Sequence, residues 1–225
     1  MRIVIATGGT GGHLFPAFQV AEELKRSGHA ILFLGAFRRA QEQMRASGFA
    51  FEELGTKGFV TSSLSKAFGS MIAMVQGIFK ACGCLRRFKP DAVLGFGGYG
   101  AFPAVASAIL LRYPAMIHEQ NAVPGRANKI LAKFVKKIAI SFPAAARYFN
   151  EHKTVLTGCP CRLSQRPMDR AAIVRAFGLK DNKTTIFVFG GSQGSHSINE
   201  AFAACVPSLR EILDFQAIHV SGKDD

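Results

Sequence analysis

Residues 8–17 read GGTGGHLFPA and come directly after the apolar run Ile3-Val4-Ile5-Ala6. Four glycines in five positions are costly in backbone entropy, so they mark either backbone at positive φ or a ligand that must approach bare main chain. The segment that follows is amphipathic and reads as a helix over 16–27. Its free N–H groups and positive dipole end therefore point back into the glycine loop, where an anion is the natural occupant. A short apolar strand, a glycine turn and a helix form the opening unit of a parallel α/β sheet.

The same alternation continues down the chain. Strands are predicted at 2–6, 30–34, 49–54, 91–95, 115–118, 137–141 and 154–156. Helices are predicted at 16–27, 38–47, 65–88, 103–112 and 125–134. Strand and helix signals lapse from Gly158-Cys159-Pro160-Cys161-Arg162 through Arg166-Pro167, the pattern of a linker. Beyond it the alternation restarts, with a helix at 169–177, a strand at 184–189, a helix at 197–213 and a strand at 215–220. The expected organisation is a first domain over 1–157, a linker over 158–168 and a second domain over 169–225. Two strands and two helices do not close a doubly wound domain, so the second unit is expected to be incomplete.

Two further glycine loops follow strands. Gly95-Phe96-Gly97-Gly98-Tyr99-Gly100 matches G-x-G-x-x-G, with Glu119 at the distance of a ribose-binding acid,. It lies on a middle strand, however, and the first loop fits neither that fingerprint nor the P-loop, which needs Lys-Ser/Thr after its last glycine. Gly190-Gly191-Ser192-Gln193-Gly194-Ser195 repeats the arrangement after the restart. Its amides and the Ser192 hydroxyl suit a diphosphate, and tight packing of a βα turn is the alternative reading.

Composition narrows the partners. The chain has 225 residues, 48% hydrophobic and 19% charged, which is globular,. Its net charge of +13 is uneven, with 20 Lys and Arg against 8 Asp and Glu up to Leu156 and 8 against 7 after it. A basic first part suits polyanions, anionic lipid or phosphorylated substrates. Stacking aromatics interleaved along a basic groove are not evident, so nucleic acid is not expected. No secretory signal is read at the amino terminus, and the odd count of 5 cysteines fits a reducing cytoplasm,. The pairs Cys82/Cys84 and Cys159/Cys161 lack the usual C-x₂-C spacing of structural zinc, and no metal or other cofactor is expected. The longest apolar stretches, 68–79 and 101–111, read as too short to span a bilayer. Residues 66–89, KAFGSMIAMVQGIFKACGCLRRFK, place apolar side chains at helical spacing between Lys66, Lys80, Arg86, Arg87 and Lys89. Burial is the default for such a stripe, and a helix lying in a headgroup layer is the alternative.

Five motifs, GGTGGHLFPA (8–17), GFGGYGAFPA (95–104), HEQNAVPGRANK (118–129), GCPCR (158–162) and GGSQGS (190–195), stand in the order and approximate spacing of the MurG family. The chain resembles that family, the undecaprenyldiphospho-muramoylpentapeptide β-N-acetylglucosaminyltransferases, along its whole length. The resemblance implies a GT-B architecture of two Rossmann-like domains, with family members continuing past residue 225. It implies inverting transfer of N-acetylglucosamine from UDP-N-acetylglucosamine to the muramoyl 4-hydroxyl of lipid I, giving lipid II; the 66–89 helix and the basic first domain are expected to attach the chain peripherally at the cytoplasmic face of the inner membrane, where a polyprenyl substrate resides. It implies that Thr10, Gly11, Gly12, Asn121, Arg162 and Ser192 bind the donor and that Gly97, Gly98 and Tyr99 face the acceptor pyrophosphate. His13 is the expected general base, with helix capping as its alternative role, and Glu119 is a second catalytic candidate. Cys159 stands where the family has Asn before the proline. No Asp-x-Asp occurs to hold a metal at the leaving group.

Overall fold

The computed structural model describes residues 1–8, 11–38, 40–55, 64–161, 169–191 and 194–222, with the side chains of 64–67 excepted. Thr10, Arg162 and Ser192 therefore lie outside the described residues, as does the Lys66 side chain. The chain divides into two compact units, Met1–Arg162 and Leu163–Asp225.

In the first unit the order is β1 (Arg2–Gly8), α1 (Gly11–Arg26), β2 (Ala30–Ala36), α2 (Gln41–Ala46), β3 (Ala50–Glu53), α3 (Leu64–Phe88), β4 (Ala92–Gly95), α4 (Gly98–Leu110), β5 (Ala115–Glu119), α5 (Arg126–Leu131), β6 (Lys137–Ile140) and β7 (Thr154–Leu156). Two 3-10 turns, Pro143–Tyr148 and Glu151–Lys153, fill the last connection. The strands form one sheet in the order β3-β2-β1-β4-β5-β6-β7, and every pairing is parallel. Strand order reverses between β1 and β4, and the crevice beyond the carboxyl ends at such a point is where open α/β sheets bind ligands.

Both faces of this sheet are covered, which is why its strands are continuously apolar. Ile3 and Ile5 of β1 join Phe33, Phe37, Phe96 and the buried side of α1 in one cluster. Val4 and Ala6, one residue out of step, join Leu32, Leu34, Ala81, Leu85 and Val105 in the other. Phe33 is fully buried, with its ring centroid 5.4 Å from that of Phe18 and 5.3 Å from that of Phe49.

The strands lie close to their predicted places, as does the helix after the third glycine loop, which begins at His196, and the helices beside the first two glycine loops do not. α1 begins at Gly11 and α4 at Gly98, each five residues ahead of the prolines from which those helices were expected to start. Each helix instead carries its proline, Pro16 or Pro103, at the sixth position inside Phe-Pro-Ala. Glycine-rich turns have poor helix propensity, and a proline read alone marks a first turn. Here packing overrides both, because Pro16, Ala17, Pro103 and Ala104 are all buried against the sheet.

The second unit holds α6 (Arg170–Ala176), β8 (Thr184–Phe189), α7 (His196–Ile212) and β9 (Phe215–Val220). β8 and β9 pair in parallel through six residues, Thr184↔Phe215 to Phe189↔Val220. Asp169 caps α6 by accepting from the Ala171 amide at 3.0 Å,.

Candidate active site

Adjacent strands β1 and β4 each end in glycine and each feed a helix, so two helix N-termini open at one place on the sheet edge. The approach is close. A Cβ on Gly98 would come within 3.6 Å of the Gly8 Cα, and one on Gly100 within 3.0 Å of it and 2.8 Å of the Ala36 amide nitrogen. Gly97 and Gly98 take φ of 87° and 75° in succession, a left-handed pair that favours glycine. Their backbone is what His13 rests on: a Cβ on Gly98 would stand 3.2 Å from His13 Cδ2 and 3.6 Å from Nε2.

His13, the third residue of α1, is half-buried. Its Nδ1 lies 2.9 Å from Gln120 Oε1. The other end of that amide, Nε2, is 3.2 Å from the His118 carbonyl and 3.0 Å from His118 Nδ1. His118 Nε2 is in turn 3.0 Å from the carbonyl of Gly158. A hydrogen-bonded line thus runs from the helix start across the end of β5 to the segment after β7. Burial holds the His118 pKa below the ordinary imidazole value, with the Gly158 carbonyl and the nearby Glu119 charge pulling the other way,. A neutral His118 is what this line of donors and acceptors needs.

The next residue faces the other way, because side chains alternate along β5. Glu119 is fully buried. Its Oε1 accepts from the Asn121 amide at 2.9 Å and from Asn121 Nδ2 at 3.1 Å. Its Oε2 accepts from the Gly125 amide at 3.1 Å and from Asn128 Nδ2 at 2.9 Å. Four donors match the four lone-pair directions of a carboxylate, and together they shape the 120–125 loop. Asn128 is also buried, gives a second hydrogen bond to the His118 carbonyl at 3.2 Å, and leaves its Oδ1 without a partner among the described residues.

Of the residues expected to form a site, His13, Gly97 and Gly98 are brought together, with Gly11 and Gly12 at the start of α1 and Tyr99 exposed in the first turn of α4. Asn121 is exposed, and its amide nitrogen is held by Glu119. Sequence reasoning gave roles to Glu119 and Asn121 and passed over His118, Gln120 and Asn128. The period of two along β5 was the available signal. Carried two residues past the strand's end at Glu119, it puts His118 and Gln120 on one side and Glu119 and Asn121 on the other, as their hydrogen bonds show.

Residues 3–140 match the glycosyltransferase family 28 N-terminal domain, and residues 185–225 match that family's C-terminal domain. The chain belongs to glycosyltransferase family 28. Among the relatives, a UDP-N-acetylglucosamine--N-acetylmuramyl-(pentapeptide) pyrophosphoryl-undecaprenol N-acetylglucosamine transferase of Halothermothrix orenii is 38% identical over 99% of the chain. The protein of the same name in Pediococcus pentosaceus is also 38% identical over 99%. The chain spans 61% and 62% of the length of these two proteins. The crystal structure of Acinetobacter baumannii MurG is 27% identical, with a TM-score of 0.71 over 99% of this chain and 59% of that one. A Neisseria meningitidis UDP-GlcNAc 2-epimerase bound to UDP-GlcNAc shares the fold, with a TM-score of 0.64 at 15% identity. The resemblance and the GT-B class read from the five motifs are borne out. The Rossmann-like first unit carries the family's N-terminal domain, and the β8-β9 unit begins its C-terminal one.

Proposed function

We propose that this chain is part of an inverting N-acetylglucosaminyltransferase. The enzyme moves N-acetylglucosamine from UDP-N-acetylglucosamine to the muramoyl 4-hydroxyl of lipid I and so makes lipid II. The observation that carries the reading is the meeting of the α1 and α4 N-termini around the His13 imidazole. Helix starts favour phosphate oxygens. An imidazole beside them is suited to take the proton of an attacking hydroxyl. In this reading the acceptor 4-oxygen bonds to the anomeric carbon as the bond to UDP breaks, and the hydroxyl proton passes to His13 Nε2. Gly97, Gly98 and Tyr99 hold the acceptor pyrophosphate. Thr10, Gly11, Gly12, Asn121, Arg162 and Ser192 bind the donor, with 158–168 linking the two domains. Glu119, saturated by four donors, holds the loop and leaves proton transfer to His13.

The place of work in this reading is the cytoplasmic face of the membrane, where α3 supports peripheral attachment. By length and composition Phe68–Phe88 is long and apolar enough to cross a membrane, beyond what the sequence pattern alone suggested, because its few charges cluster at the carboxyl end. Gly77, Ala81, Cys84 and Leu85 pack one side of it into the first unit. The opposite side exposes Phe68, Met71, Ile72, Val75 and Phe79. A helix seated on its own domain with an apolar outer stripe is suited to lie in a headgroup layer.

The test is transfer of labelled N-acetylglucosamine to a short-chain lipid I, with the anomeric configuration read in the product. We expect β product, and a loss in kcat of about 10²- to 10⁴-fold in His13→Gln, the usual contribution of a general base. A loss below tenfold removes His13 from the role. Absence of both transfer and lipid I binding removes the whole assignment.

A further inference from the structure

Building on that reading, we propose that Gln120 is a positioning residue that fixes the tautomer of His13, placing the hydrogen on Nδ1 and the lone pair on Nε2. Two carbonyl oxygens settle the direction of every hydrogen bond between them and the ring. The His118 carbonyl can only accept, and Gln120 lies 3.2 Å from it through Nε2. The NH₂ end of the amide therefore faces His118, and its second hydrogen goes to His118 Nδ1 at 3.0 Å. The Gly158 carbonyl also can only accept, so the His118 hydrogen sits on Nε2, 3.0 Å away, which leaves His118 Nδ1 free to receive from Gln120. Two independent acceptors thus orient the amide the same way. Its oxygen is left facing His13 Nδ1 at 2.9 Å. An amide oxygen has no hydrogen to give, so His13 Nδ1 must donate, and the basic electron pair of the neutral ring lies on Nε2. That nitrogen is the one beside the Gly98 backbone, 3.6 Å from where a Cβ there would stand.

Gln120 differs in kind from a carboxylate partner. It orients the ring without charge, so when His13 Nε2 takes the acceptor proton, the imidazolium keeps its Nδ1–H bond to Gln120 Oε1 and the proton goes no further. Gln120 touches no reacting atom, and its effect falls on the orientation and tautomer of the base.

The experiment is long-range ¹H–¹⁵N correlation NMR on the chain labelled at histidine ring nitrogens. It is run at about pH 8.5, two units above an ordinary imidazole pKa of about 6.5. The chain has 6 histidines, and His13→Gln assigns the signal of interest. The expected result is His13 as the Nδ1–H tautomer and His118 as the Nε2–H tautomer in the parent. In Gln120→Leu, His13 moves toward Nε2–H and the KM for UDP-N-acetylglucosamine is unchanged. Its kcat falls at least tenfold, toward the roughly 10⁴-fold loss of a base held in the wrong tautomer. Nε2–H on His13 in the parent overturns the proposal, as does an unchanged Nδ1–H signal in folded Gln120→Leu. If the variant does not fold, the parent spectrum decides alone. The spectrum needs no substrate, so its outcome is separate from whether the chain transfers sugar.

Discussion

His118 and Glu119 are neighbours in the chain, and alternation along β5 gives them different work. His118 carries a hydrogen between two carbonyl-anchored groups and has to be neutral to do so. Because burial lowers its pKa, the unfolded chain takes up a proton on acidification that the native one resists. Stability should therefore be fully present above about pH 6.5 and fall as pH drops below it, by at most about 1.4 kcal/mol per pH unit from this group. Urea unfolding of the first unit at pH 7.5 and 5.5 checks the sign. The decline should shrink in His118→Asn, and equal declines in the two proteins would remove His118 as its source. Glu119 shows why the surroundings of a residue were only half legible. A carboxylate inside a motif reads as an acid or base from sequence, and only the fold reveals four N–H groups converging on it. Gln120 gave no such signal, since an amide has no chemistry of its own until its partners are known.

At the scale of elements, strands were read well because hydrophobic runs with both faces buried leave little choice, as in β1. The starts of α1 and α4 were read late because glycine and proline are punctuation in a sequence, whereas there they form the first turn and a half. For α3 the stripe was legible and its side was not, since a periodic pattern does not say which face meets the sheet. The structure turns Lys80 to the Glu53 carbonyl and pairs Arg87 with Glu52 at 2.9 Å, so two of the cations expected to flank the stripe are engaged at home. Apolar contact should then dominate attachment. Replacing Phe68 and Phe79, 66% and 74% exposed, with serine should lower co-sedimentation with anionic vesicles several-fold at about 0.5 M salt, where screening leaves mainly apolar contact. Unchanged binding would mean that the basic surface alone is responsible.

At the scale of the whole molecule, the sequence pattern breaks at residue 158, and the chain divides into compact units over Met1–Arg162 and Leu163–Asp225. Each unit should behave as its own cooperative block. Phe33→Ala, which empties a fully buried site beside Phe18 and Phe49, should lower the stability of the first unit by about 3–5 kcal/mol. Amide exchange in β8 and β9 should stay as it was, and accelerated exchange there would mean that the units unfold together.

The carbonyl of Gly158 has a consequence that reaches beyond packing. It closes the line of hydrogen bonds that ends at His13, and it belongs to the last stretch of chain before the second unit begins at Leu163. Turning that oxygen away from His118 would leave the His118 Nε2–H without its acceptor and remove one of the two restraints that set which way the Gln120 amide faces.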